Sequence, residues 1–217
     1  TECAVSRNQA AQHARGTYIA FLDSDDVWYP EKVEKQVRFM EAHPDIPLCH
    51  TYCRVIDDQS QPVGIRHEGM LPPTGRCFET LLEHCWITIS SVMARRTLFD
   101  ELGWFSERGL FAHCGDDYEF FMRVAARHPI GLLDEVLAGY RKGEQNLTRG
   151  RWRQTPEAVP FHRHLIDRPD IWSGLVSRAV VVDAFVKRAL DNAVFWREQN
   201  ESGKSLWFLG QALRFRP

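Results

Sequence analysis

Apolar and polar positions alternate along this chain in a way that predicts strands and helices taking turns. Tyr18 to Leu22 is a continuous apolar run with aromatic and β-branched members, which predicts a buried strand. The Ala-rich stretch from Cys3 to Ala14 predicts a helix before it, with Gly16 at a C-terminal cap position. Pro30 and Glu31 open a second helix, on which Val33, Val37 and Met40 share a face, and Pro44 ends it. Residues 46–56 alternate loosely and predict a strand covered on both sides, followed by a turn at 57–62 and an irregular loop over 63–74. Gly75 to His84 reads as a short helix with Phe78, Leu81 and Leu82 inward. Trp86 to Ala94 reads as a strand, Arg95 to Leu102 as a helix stopped by Gly103, and 104–114 as an aromatic loop. Asp116 reads as the N-cap of a helix that runs to His128, where Pro129 stops it. Ile130 to Leu133 and Val136 to Tyr140 predict two short strands, and 141–155 a polar, basic loop.

From Gly174 the pattern becomes helical throughout. Leu175, Ala179, Val182, Val186, Ala189, Ala193 and Trp196 recur at spacings of three and four, an amphipathic stripe. Ser202-Gly203 breaks it, and Lys204 to Phe215 forms a second helix carrying Leu206, Leu209 and Leu213. The expected fold class is α/β, a Rossmann-like mixed sheet flanked by helices with a C-terminal helical appendage. The expected division is a domain over 1–155 and a helical extension over 156–217.

The strand at 18–22 runs straight into Asp23, Asp25 and Asp26. Crowded carboxylates repel one another, and a divalent cation relieves that repulsion. The carboxyl end of a strand is also where α/β sheets bind ligands. A second acidic pair, Asp116 and Asp117, opens a later helix. Taken alone, the first cluster also fits a solvated turn, and the second fits a cap with acids complementing the helix dipole.

Composition narrows the picture. A net charge of −2 gives no general attraction to nucleic acid. The six Cys are scattered without a C-x-x-C pair, which argues against a disulfide framework and for a reducing, cytoplasmic setting, with the inner face of a membrane as a variant. Cys77, His84 and Cys85, or Cys49, His50 and Cys53, fit no standard zinc spacing. Arg149, Arg151, Trp152 and Arg153 form a basic loop that reads as solvated or as a lid. Arg178, Lys187, Arg188 and Arg197 lie opposite the apolar stripe, so the tail could meet an anionic membrane surface, the domain itself or a second copy in a homodimer.

Ser6-Arg7-Asn8, then Gly16 to Lys32 with its Phe-Leu-Asp-Ser-Asp-Asp core, resembles the family 2 glycosyltransferases of the GT-A fold. Ile89 to Arg96, Gly103 to Glu107 and Gly115 to Phe120 are similar to later motifs of that family in order and spacing. The resemblance implies transfer of a sugar from a nucleotide-sugar donor, commonly a UDP-sugar, to a saccharide or lipid-linked acceptor, with Mg²⁺ or Mn²⁺, as in polysaccharide biosynthesis. It implies a DxD-type motif in which Asp25 or Asp26 ligates the metal and Asp23 contacts the donor. It places Arg7, Asn8 and Asp116 on the donor side and Asp117 as catalytic base. The family's Glu-Asp pair is here Asp116-Asp117, and the His that some members carry after Tyr-Arg is here Lys142. The resemblance also implies that the family's opening strand, with the acid that contacts the base, lies before Thr1. Two other readings stand beside this one: a phosphatase of the haloacid dehalogenase type, with Asp23 as nucleophile and Asp25 as acid, and a domain that only binds.

Overall fold

A computed structural model describes residues 2–69, 71–83, 85–107, 115–143 and 158–215. The chain opens with helix α1 (Glu2–His13), strand β1 (Tyr18–Ala20) and the two-residue strand β2 (Val27–Trp28). Helix α2 (Lys32–Ala42), strands β3 (Leu48–Ile56) and β4 (Pro62–Ile65), and helix α3 (Phe78–Glu83) follow. Strand β5 (Met93–Arg95), helices α4 (Arg96–Leu102) and α5 (Asp116–Arg127), and strand β6 (Ile130–Arg141) complete the sheet region. Helices α6 (Ala158–Asp167), α7 (Pro169–Trp172), α8 (Arg178–Glu198) and α9 (Ser202–Leu213) make the rest.

The sheet runs β1-β5-β3-β6-β2, with β4 paired to the upper part of β3. Only the β3–β6 pairing is parallel, so the sheet is mixed, as expected. Three local expectations change. Residues 62–65 form β4 and not an irregular loop, because Asp57 closes a tight turn by accepting the backbone N–H groups of Gln59 and Gln61. The expected strand from Trp86 is broken by a 3₁₀ turn at Ile89–Ser91, leaving only β5 as strand. There the Ser91 hydroxyl and N–H both donate to Thr88 O, a local bond that displaces the ladder. The two short strands expected after Pro129 are one strand, with Asp134 and Glu135 taken up where the β3–β6 register shifts.

The inward face of α2 is also not the one its apolar residues mark. Lys32, Gln36 and Met40 are buried, whereas Val33 is 46% exposed. Burying a polar pair is tolerable because the two satisfy each other: Lys32 Nζ donates to Gln36 Oε1 at 2.6 Å and lies 4.3 Å from the centre of the Trp28 ring. Burial pushes the Lys32 amine down to about 8.

The core is continuous across the 155/156 division. Phe99 and Phe120 stack at 4.9 Å, and Val181, Phe185 and Phe208 of the helical tail belong to the same buried cluster as Phe21, Phe99 and Phe120. On α9 the buried residues are Ser205, Phe208, Gln211 and Ala212, while Leu206 and Leu213 are exposed. The partner decides this: Ser205 Oγ donates to Ala193 O on α8, and Phe215 meets the Phe185 ring edge-on.

Gly139 of β6 faces Val27 of β2. A Cβ at that position would lie 2.7 Å from Val27 Cγ2 and 3.2 Å from Ile56 Cδ1. Gly139→Ala should therefore push β2 away and cost about 1–3 kcal/mol of stability. Thermal unfolding checks it; an unchanged melting temperature would contradict the close approach.

Candidate active site

The acidic turn between β1 and β2 is held from three directions. Asp26 N–H donates to Asp23 O at 3.1 Å, closing the turn on itself. Asp23 N–H donates to Ser90 Oγ at 3.1 Å, tying it to the approach to β5. At the end of β6, Arg141 N–H donates to Asp26 Oδ1 at 2.9 Å and Arg141 Nε to Asp25 O at 2.8 Å. Asp25 is exposed and Asp26 buried. Burial pushes the Asp26 carboxyl up to about 6, with the charges of Asp25 and Asp23 adding to it; bonds from the Ser90 hydroxyl and Arg141 N–H oppose the rise.

The second acidic pair meets the first through Arg7. Its Nη2 donates to Asp23 Oδ1 at 2.7 Å and its Nη1 to Asp116 Oδ2 at 3.0 Å, across 109 positions of sequence. The Asp116 side chain is 1% exposed, and its Oδ1 is buried without a hydrogen-bond partner. Gly115, at φ 107°, is the N-cap of α5, so Asp116 is the first helical residue and not the cap expected from sequence. A positive φ there suits Gly alone. Asp117 Oδ1 accepts the N–H of Tyr118 at 2.8 Å. Burial pushes the Asp117 carboxyl up to about 6; Arg7 opposes this, and the charges of Asp116 and Asp23 add to it. The same three acids hold the Arg7 guanidinium firmly charged against its own burial. Arg7, Asp23, Asp116 and Asp117 thus form one electrostatic unit. An open cleft of about 500 Å³, lined by Cys3, Ser6, Arg7 and residues 20–24 among others, lies beside it.

Asn8 is buried one position further along α1, and its amide is engaged on the turn at Phe105. Phe105 N–H donates to Asn8 Oδ1 at 3.0 Å, and Asn8 Nδ2 donates to Phe105 O at 2.9 Å and Glu107 Oε1 at 2.7 Å. Arg123 steadies the same turn, pairing with Glu119 and donating to Trp104 O at 2.8 Å. The sequence brought Ser90 in only as a member of the Ile89–Arg96 motif, with no role of its own, and did not point to Arg123 or Gln36. The signal for Ser90 was a pair of hydroxyls inside an apolar run; Arg123 and Gln36 left none. The basic loop with Arg149, Arg151, Trp152 and Arg153 lies outside the described residues.

Asp25 and Asp26 fit a divalent cation of one kind. Among the described residues no three His, Cys, Asp or Glu side chains converge into a protein-built cage. A cation here would take one or two carboxylates and complete its shell with phosphate oxygens and water, the usual habit of Mg²⁺. Burial is the main cause of the Asp26 rise, and the charges of Asp25 and Asp23 that add to it are what such a cation would offset. The thiols of Cys49 and Cys53 are pushed up to about 12 and about 11 by burial, and buried His50 down to about 4, its Nε2 2.8 Å from Pro73 O.

Residues 2–103 match the family model described as "Glycosyl transferase family 2". Residues 2–103 thus form a family 2 glycosyltransferase segment. An uncharacterized glycosyltransferase of Rickettsia felis is 34% identical over 138 residues, covering 64% of this chain and 22% of that protein. An Escherichia coli protein named UDP-Glc:alpha-D-GlcNAc-diphosphoundecaprenol beta-1,3-glucosyltransferase is 26% identical over 151 residues, covering 69% of this chain and 55% of its own. The chain therefore spans about a fifth of the Rickettsia felis relative and about half of the E. coli one. Among solved structures, a mannosyltransferase from Pyrobaculum calidifontis in complex with GDP-Man and Mn²⁺ superposes with a TM-score of 0.53 at 15% identity, covering 97% of this chain and 54% of that one. That likeness bears on the fold, which is GT-A-like as the sequence implied. The glycosyltransferase match replaces the phosphatase alternative.

Proposed function

We propose that this domain moves a sugar from a nucleoside diphosphate sugar to an acceptor hydroxyl, with inversion at the anomeric carbon and in a cation-dependent manner. The observation that carries it is Arg7, which joins the acid turn at the end of β1 to the acids at the start of α5. An inverting transfer needs two things on opposite sides of one carbon: a base for the acceptor hydroxyl and stabilisation of the leaving diphosphate. Asp117, raised toward neutrality, suits the base. It takes the hydroxyl proton as the new C–O bond forms and the bond to the diphosphate breaks. Asp25, exposed at the rim, and Asp26 behind it would hold Mn²⁺ or Mg²⁺, which when bound supplies Lewis-acid stabilisation to the diphosphate. Asp23 contacts the donor, and Arg7 holds Asp23 and Asp116 in place. Asn8 contributes to the donor side through the Phe105 turn it grips.

The names of the E. coli relative and the Pyrobaculum calidifontis mannosyltransferase support a nucleotide-sugar donor. The first also supports a saccharide on a lipid diphosphate as acceptor. We read 1–155 as the catalytic domain and 156–217 as a helical extension. Its exposed Leu206, Trp207 and Leu213 would be the surface for a membrane or a second copy. Among the described residues no helix is long and apolar enough to cross a membrane.

The test is a screen of nucleotide sugars with Mn²⁺, following release of nucleoside diphosphate. At least one donor should give release that EDTA abolishes; release of inorganic phosphate from simple phosphoesters instead would overturn the reading. Asp25→Ala should lose the Mn²⁺-dependent part of nucleotide binding and keep the melting temperature within a few degrees, because Asp25 is exposed.

A further inference from the structure

We infer that Ser90 is the positioning residue of the donor site, setting the placement of the acid turn from beneath it. The inference rests on the reading of that turn as the donor-diphosphate site.

Ser90 is completely buried on the 3₁₀ turn that leads into β5. It meets the loop between β1 and β2 at two points and β2 itself at a third. Its Oγ accepts the Asp23 N–H at 3.1 Å, and the same hydroxyl is close enough to the Asp26 carboxyl to oppose its rise. Its carbonyl accepts Trp28 Nε1–H at 2.8 Å. A hydroxyl has one proton and two lone pairs, so accepting from the Asp23 backbone leaves its proton for Asp26. One residue therefore fixes the first acid of the motif through its backbone, the last through its carboxylate, and the strand beyond through Trp28.

The support beneath Ser90 is itself closed. Lys32 Nζ lies against the Trp28 ring and donates to Gln36 Oε1, and Gln36 Nε2 donates to Ser91 O at 2.9 Å. The path Ser90–Trp28–Lys32–Gln36–Ser91 returns to the same turn. It explains why a lysine and a glutamine face the core on α2 although Val33 was available: they brace the turn that holds the acids. Ser91 supplies a contrast. It is equally buried, but its hydroxyl donates to Thr88 O, within its own turn.

Removing the Ser90 hydroxyl frees one end of the acid turn without removing an acid. The effect should fall on the part of nucleotide binding that requires a cation held between fixed carboxylates and phosphate. The experiment titrates UDP and GDP into wild type, Ser90→Ala and Ser91→Ala, each in Mn²⁺ and in EDTA, with thermal unfolding alongside. Ser90→Ala should weaken the Mn²⁺-dependent affinity about tenfold or more and leave the EDTA affinity within about twofold, as loss of a hydrogen bond to a charged group predicts. Ser91→Ala should leave both within about twofold of wild type. Equal losses in the two variants, or none in Ser90→Ala, would overturn the inference while leaving the site's reading intact. Failure of wild type to bind either nucleotide with Mn²⁺ would overturn both. Should Ser90→Ala not fold, Trp28→Phe removes the bond to the Ser90 carbonyl, keeps an aromatic ring for Lys32 and leaves the Ser90 hydroxyl in place; a several-fold loss confined to Mn²⁺ conditions supports the inference, and unchanged binding overturns it.

Discussion

Asp117→Asn should lower the transfer rate by about 10³-fold, the contribution of a positioned general base, and leave Mn²⁺-dependent nucleotide binding close to wild type. An amide cannot take the acceptor proton, but it keeps the shape of the carboxyl and can still accept the Tyr118 N–H. The same substitution should change the pH dependence of stability. The Asp117 carboxyl has an ordinary value of 3.8 and is pushed up to about 6 in the folded chain. Between those values the folded state holds more protons than the unfolded one, so stability falls as pH rises. The contribution is whole below about 3.8 and lost as pH passes about 6. The melting temperature of Asp117→Asn relative to wild type should therefore climb from pH 4 to pH 7 and then level. A flat difference across that range would mean that the Asp117 carboxyl is not raised in the folded chain.

Arg7→Met is expected to have the largest structural effect. Arg7 is the cation common to Asp23, Asp116 and Asp117, and the Asp116 side chain cannot turn to water. Removing one member of a buried charged pair leaves the other uncompensated, at a cost of about 3 kcal/mol, or roughly 6–12 °C in melting temperature for a chain of this size. The loss should be smaller at pH 5 than at pH 8, since protonation relieves the acids left without their partner. Activity should fall as well, because the raised Asp117 loses the charge that favours its ionised, basic form. Equal loss of stability at both pH values would argue that Arg7 acts by packing alone.

Much of the site was legible because it is local. An apolar run ending in acids reads as a strand entering a ligand-binding turn, and the Arg-Asn pair on α1 and the Gly-Asp-Asp start of α5 stand out in order. What could not be read is where long-range partners decide. The pairing of Arg7 with Asp116 crosses 109 positions, and no periodicity encodes it. Helix α2 shows its valines to a sequence reader but buries Lys32 and Gln36, because each satisfies the other and Gln36 reaches Ser91. On α9 the exposed leucines follow from how α8 receives Ser205 and Phe208. Asp116 looked like a cap until Gly115, at positive φ, took that place.

Arg7 joins the two acid clusters, and the proposed function divides the labour of one site between them. The most direct test is a calorimetric titration of UDP and GDP in Mn²⁺ into wild type, Asp25→Ala and Asp117→Asn, with transfer measured on the same preparations. Both variants should lose transfer, and only Asp25→Ala should lose the Mn²⁺-dependent binding. Full transfer by Asp117→Asn, or undiminished Mn²⁺-dependent binding by Asp25→Ala, would contradict that division.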